Sequence, residues 1–69
     1  MNEIGRWFFR VVEDADGGWT CRSGRTELDS HPTLDEAAAH IAAIAAAQRP
    51  SQVFIHYVDG CVRSDAQFG

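Results

Sequence analysis

Two stretches of the chain are rich in aromatic and β-branched residues and are predicted to be β-strands. The first, residues 6–13, ends at the run of Asp, Ala and Gly in residues 14–18, and the second, residues 53–58, ends at Asp59-Gly60. Asp and Gly accept the backbone angles that tight turns require, so each stretch is predicted to begin a hairpin. The returning strands are residues 19–22 and residues 61–63.

A helix is predicted from Leu34 to about Gln48. Thr33 fits the N-cap, Glu36 follows three residues later as in a capping box, and Pro50 prevents continuation. At about 100° per residue, one side of this helix is apolar and is the predicted core face. Its members are Leu34, Ala37, Ala38, Ile41, Ile44 and Ala45.

The opposite side of the helix is unusually poor in charge. It holds four alanines beside Asp35, Glu36 and His40. Two interpretations stay open: alanine is the best helix former, or these residues make an apolar patch that packs on another subunit. The alanines are Ala39, Ala43, Ala46 and Ala47.

The element order β-β-(β)-α-β-β indicates an α+β domain, a small antiparallel sheet of two hairpins packed on one helix. The bracketed strand, from Arg25 to Ser30, could be a strand or a loop. With 69 residues the chain has room for a single domain, 1–69, and residues 1–5 and 65–69 are expected to be frayed.

Alternation along the strands divides their side chains into two faces. In a two-residue hairpin that closes at Asp59-Gly60, Val58 pairs with Cys61 and His56 pairs with Arg63. The face expected to meet the helix contains Trp7, Phe9, Val11, Trp19, Cys21, Ile55, Tyr57 and Val62. The other face contains Phe8, Arg10, Val12, Thr20, Arg22, Phe54, His56, Val58, Cys61 and Arg63.

One helix covers only one side of a sheet, so the second face is expected to lack cover within the chain. The favoured interpretation is a homodimer or a contact with a protein partner. A solvated face and a nucleic-acid-binding face, with aromatic rings stacking on bases, remain alternatives, and the net charge of −4 disfavours the latter. The candidate interaction residues are Phe8, Arg10, Arg22, Phe54, His56 and Arg63.

No catalytic constellation is evident, so we expect no enzyme activity and no cofactor or small-molecule substrate. Cys61 does not pair with His56, and Cys21 is predicted on the opposite face from Cys61, which argues against a disulfide. The chain's three histidines, His31, His40 and His56, fall on three different elements, so no metal site is expected.

The first residues lack a signal-peptide pattern and no apolar run is long enough to span a membrane, which indicates a cytoplasmic protein.

The order and spacing of several motifs resemble a family of short bacterial proteins catalogued as domain of unknown function 2188. The motifs are Gly17-Gly18-Trp19, Thr33-Leu34-Asp35-Glu36-Ala37, and residues 53–63 with His56, Asp59-Gly60, Val62 and Arg63. The resemblance extends from about Trp7 to Gly69. It implies the predicted order of elements and a bacterial or phage origin, and it brings no known activity, substrate or cofactor. Cys61 and Tyr57 depart from the family pattern, which usually has a polar or basic residue at the first position and often a small one at the second.

Overall fold

The computed structural model describes residues 5–69, which form five strands and one helix. The sheet has the strand order β3-β2-β1-β4-β5, and the helix packs on one side of it. The elements in chain order are β1 (Trp7–Glu13), β2 (Trp19–Ser23), β3 (Thr26–His31), α1 (Leu34–Ala47), β4 (Ser51–His56) and β5 (Val62–Phe68).

The α+β class and the element order are confirmed, and the segment that the sequence left open is a strand, β3. The expectation of a purely antiparallel sheet is wrong at its centre, because β1 and β4 are parallel. β3 runs in the same direction as β1, and the helix then returns the chain to the end of the sheet where β1 begins. Trp7 therefore lies beside Ser51, and its backbone N–H donates to the carbonyl of Pro50 at 2.9 Å.

The helix begins where the sequence predicts and ends one residue early, with Gln48 as its C-cap. The Thr33 side chain caps the first turn by accepting a hydrogen bond from the backbone N–H of Glu36 at 3.2 Å. Three of the six predicted core-face residues of α1 are fully buried, and they meet the buried side chains of β1, β2 and β4. The buried apolar core is Phe9, Val11, Cys21, Ala37, Ile41, Ala45, Val53 and Ile55.

The predicted faces are confirmed for β1, β2 and β4 in their central positions, where Phe9, Val11, Cys21 and Ile55 are buried against the helix. Trp7 was expected to join them but is 52% exposed. It stands at the first position of β1, beside Ser51 of β4.

The β4–β5 turn has three residues where the sequence predicted two. Tyr57 donates its backbone N–H to Cys61 at 2.8 Å, and Gly60, with a φ of 95°, completes the loop. The β1–β2 turn is built in the same way, with Gly17 at a φ of 95°. This turn, a tight turn followed by a glycine of positive φ, is a common hairpin connection.

The extra turn residue shifts the pairing of residues 62–64 of β5 by one position, and a bulge between Val53 and Phe54 changes the register again for the rest of the strand. His56 pairs with Val62, and Arg63 pairs with Ile55. The predicted pairing of His56 with Arg63 is therefore wrong, and so are the predicted faces of Val62 and Arg63. A slip of one residue moves every side chain of a strand to the other face.

β5 continues through the segment where fraying was expected, to Phe68, whose side chain packs against the core. Residues 1–4, where fraying was also expected, lie outside the described residues. Within residues 5–69, no helix is both long enough and apolar enough to cross a membrane.

Candidate interaction site

All five strands have side chains on the side of the sheet that α1 does not cover, with Glu27 and Ser30 coming from β3. The strand pairings place these side chains next to one another, row by row, across the sheet. We use the name open face for eight of these residues, of which Thr20 is buried: Phe8, Arg10, Val12, Thr20, Arg22, Phe54, His56 and Val62.

The structure brings together five of the six candidate interaction residues that the sequence singled out. Arg63, the sixth, lies on the other side of the sheet, with its guanidinium 5.8 Å from the centre of the Tyr57 ring. Val62 takes the place beside His56 and is 56% exposed. Counting Val58 as a third loop residue would have revealed this exchange. The five residues that meet are Phe8, Arg10, Arg22, Phe54 and His56.

Two phenylalanine rings form the apolar part of the open face. Phe8 of β1 and Phe54 of β4 stack with their centroids 6.2 Å apart and their planes inclined by 28°. Phe54 is half-buried, whereas Phe8 is 52% exposed. Large aromatic side chains contribute strongly to protein contacts when they are covered. Phe8 is therefore the clearest apolar contact point on this side of the sheet.

Two arginines lie directly opposite each other beside the rings, where β1 pairs with β2. Arg10 donates to the carbonyl of Gly24 at 3.1 Å, and Arg22 donates to the carbonyl of Arg25 at 3.0 Å. Arg22 also lies 3.8 Å from the Glu27 carboxylate, and among residues 5–69 Arg10 has no carboxylate within salt-bridge distance. The centre of the open face is therefore cationic in a chain whose net charge is negative.

A second polar cluster lies on the helix-covered side, where α1 passes over β2 and β3. Asp29 of β3 pairs with Cys21 of β2, and His31 follows Asp29 on the same face of β3. His40 reaches this point from α1. The ligand-type atoms of the four side chains all lie within 4.8 Å of one another. We call Cys21, Asp29, His31 and His40 the corner cluster.

Sequence reasoning missed the corner cluster. It placed the histidines on separate elements and His40 on the outer side of the helix, but β3 widens the sheet until it lies beneath that flank of α1. The imidazole of His40 contacts both Asp29 and His31. The alternation Asp29-x-His31 was the available signal, and it has meaning only once the segment is known to be a strand next to Cys21.

Cys21 is fully buried in this cluster. Burial and, to a smaller extent, the nearby Asp29 carboxylate together raise the pKa of its thiol to about 12. The thiol donates to the carbonyl of Ala37 at 3.5 Å. Without a cation nearby, this sulfur is therefore a protonated, unreactive core group.

Cys61 lies in the exposed β4–β5 turn and is not in a disulfide; Cys21 is also free. The Asp59 carboxylate beside it raises the pKa of the Cys61 thiol. A nucleophilic cysteine needs the opposite shift, so this surrounding disfavours the thiolate.

Comparison with protein-family models identifies one family along this chain. The model described as an uncharacterized protein conserved in bacteria, DUF2188, matches residues 9–66, which include all five strands and the helix in whole or in large part. No match is found among curated proteins or among solved structures.

Proposed function

We propose that this chain, which belongs to the bacterial DUF2188 family, is a non-catalytic cytoplasmic protein-interaction module that self-associates through the open face. The observation that carries the proposal is the half-exposed Phe8 ring, stacked on Phe54 on the side of the sheet without a helix. Covering such a ring gains about 25 cal/mol per Å² of apolar surface removed from water. A second copy supplies that cover without any further protein.

The chemistry of the open face favours a second copy as its occupant. The face carries arginine on β1 and β2 and phenylalanine on β1 and β4, side by side in adjoining rows. In a two-fold dimer, one part of each face lies against a different part of the other. Arg22 of one copy then stacks on Phe54 of the other, a favourable contact between a guanidinium and an aromatic ring.

The molar mass in solution, measured by light scattering over a concentration series, tests this proposal. We expect the wild-type chain to approach twice its monomer mass as concentration rises. Phe8→Ser and Arg22→Glu should remain monomeric at the same concentrations while keeping the circular dichroism of the folded chain. Val58→Ser is the matched control, because Val58 is 64% exposed but lies in the β4–β5 turn, and it should associate like the wild type.

A wild-type chain that stays monomeric at every concentration contradicts self-association. The same face then has a different occupant, and the stacked phenyl rings beside two arginines make single-stranded nucleic acid the alternative to examine. Fluorescence anisotropy with a labelled oligonucleotide at about 50 mM salt, where electrostatic binding is strong, decides between them. Saturable binding that Arg10→Glu abolishes would establish the nucleic-acid function in place of the dimer.

A further inference from the structure

We propose that the corner cluster binds one Zn²⁺ ion through four protein ligands. The donor atoms are Sγ of Cys21, a carboxylate oxygen of Asp29, Nε2 of His31 and Nδ1 of His40. This site is on the helix-covered side of the sheet and is independent of the proposed dimer contact on the open face.

The spacing of the donor atoms is that of a tetrahedral zinc site. Zn–N and Zn–O bonds of about 2.0–2.2 Å place neighbouring donor atoms about 3.3–3.6 Å apart. Nε2 of His31 lies 3.3 Å from Nδ1 of His40 and 3.2 Å from Oδ1 of Asp29. Nδ1 of His40 lies 2.8 Å from Oδ2 of Asp29. An ion at the centre therefore needs only small adjustments of the two imidazoles and the carboxylate.

The sulfur of Cys21 supplies the fourth vertex. It lies within 4.8 Å of every other donor atom, and a zinc–thiolate bond of about 2.3 Å requires it to approach the nitrogen and oxygen donors to about 3.6 Å. That approach shortens each distance by at most about 1.2 Å, the difference between the 4.8 Å limit and the spacing around a zinc ion.

The four donors match the charge and softness of Zn²⁺. One thiolate and one carboxylate balance the two charges of the ion, and the two neutral imidazoles complete the shell. Binding displaces the thiol proton of Cys21 to solvent, so the ion and its ligands together are neutral. Burying a net charge costs free energy, so a neutral metal site is the least costly form at this partly buried position.

A hydrogen-bonded network explains this arrangement less well than a metal does. Oδ1 of Asp29 is buried and accepts no hydrogen bond, although it points at His31 from 3.2 Å. Buried carboxylate oxygens normally have a donor, so an unpartnered one needs an explanation. One nitrogen of each imidazole, one carboxylate oxygen of Asp29 and the sulfur of Cys21 all lie within 4.8 Å of one another, which is the arrangement of a ligand set.

The ligands come from three elements, Cys21 from β2, Asp29 and His31 from β3, and His40 from α1. With four protein ligands the zinc has no open position for a substrate, which is the pattern of structural sites. The ion therefore links α1 to β2 and β3, and we expect its binding to raise the free energy of unfolding.

Titration of the metal-free, reduced chain with ZnCl₂ tests the site by calorimetry and by the melting temperature. We expect one ion per chain and a melting temperature that rises with Zn²⁺ concentration. Asp29→Asn and His40→Gln, both at partly exposed positions, should keep the fold and weaken binding at least about tenfold, the loss that even outer-shell partners of a metal cause. His56→Gln and Cys61→Ser are the matched controls and should bind like the wild type.

Co²⁺ provides an independent readout of the ligand atoms. The wild-type chain should give the intense visible bands of tetrahedral Co²⁺ together with a thiolate-to-metal absorption, and Cys21→Ser should lose the latter. Absence of stoichiometric binding would overturn the proposal. Binding that Asp29→Asn and His40→Gln leave unchanged would also overturn it, because the ion would then be held elsewhere.

Discussion

At the scale of single residues, the two thiols have raised pKa values for different reasons. Cys21 is removed from water by the helix, whereas Cys61 is exposed and responds to the carboxylate of Asp59 two residues before it. Asp59 accepts the backbone N–H of Cys61 at 2.9 Å, and this bond lowers the pKa of Asp59. The contact between Asp59 and Cys61 therefore forms part of the turn. The protonated thiol of Cys21, in contrast, contributes to the stability of the core.

The raised pKa of Cys21 predicts a loss of stability in base. The thiol has an ordinary pKa of 9.0 and a pKa of about 12 in the folded chain. Its contribution is fully present below pH 9.0, and above that pH the unfolded chain loses the proton that the folded chain keeps. The free energy of unfolding should therefore fall as the pH rises towards 12.

Urea unfolding in metal-free buffer from about pH 8 to pH 11 measures this effect. We expect Cys21→Ala to remove part of the decline in the unfolding midpoint, and Cys61→Ser to remove less of it, because the Cys61 thiol is exposed and only the Cys21 thiol is buried. Parallel declines in the wild type and Cys21→Ala would show that the thiol of Cys21 is not buried as the structure places it.

The alternation of side chains along single strands predicted most of the residues of the open face, but no sequence pattern predicted the corner cluster. Alternation along one strand was enough to put Phe8 and Arg10 on one side, because the period of a strand is local. The contact of His31 with His40 depends on how far the sheet extends beneath the helix. No pattern within either element contains that information.

At the scale of elements, turn length determines which side chains at the start of β5 lie on the helix-covered side of the sheet. Gly60 has a φ of 95°, and no atom lies within 4 Å of the position that a β-carbon would take there. The requirement for glycine is therefore one of backbone conformation alone. The sequence Asp59-Gly60 marked the turn correctly but did not reveal that Val58 also belongs to the loop.

Gly60→Ala should destabilise the chain by about 1–2 kcal/mol, the strain of a left-handed conformation for a residue with a β-carbon. Equilibrium urea unfolding measures it. Gly69→Ala, at a position with open space and without a positive φ, should change the stability little. An unchanged midpoint in Gly60→Ala would mean that the turn adopts another conformation at no cost.

The helix was the most predictable element. Thr33 and Pro50 limit it through interactions within a few residues, so its bounds follow from the sequence almost without tertiary information. β3 was the least predictable, because only Thr26 and Leu28 favour a strand there and its pairing with β2 includes a bulge.

At the scale of the whole molecule, the position of the helix determines which of two neighbouring phenylalanines is buried in the core. Phe9 is 1% exposed beneath α1, and Phe8 is 52% exposed on the open face. A chain of this length has roughly 3–10 kcal/mol of stability in total. Loss of one buried aromatic ring is therefore comparable to the whole margin.

Phe9→Ala should cost about 3–5 kcal/mol and leave the chain largely unfolded. Phe8→Ala should change the stability of the monomer by at most about 0.5 kcal/mol, as is usual for exposed positions. Thermal unfolding followed by circular dichroism at the lowest usable concentration separates these effects from self-association. Equal losses in the two variants would contradict the assignment of the faces.

The parallel pairing of β1 with β4 was not predictable from local patterns. Each strand shows a hairpin turn on one side, and those turns specify only the antiparallel neighbours. The contact between Val11 and Ile55 joins residues that are far apart in the sequence, so it depends on the path of the chain through β3 and the helix.

The central position of β1 has a consequence for the order in which the protein can be completed on the ribosome. One edge of β1 is paired as soon as the first hairpin forms, but its other edge waits for residues 51–56. Until β4 emerges, the nascent chain carries an open hydrogen-bonding edge at what will become the middle of its sheet. Translation pauses before β4 would prolong the interval in which neighbouring nascent chains can pair wrongly there.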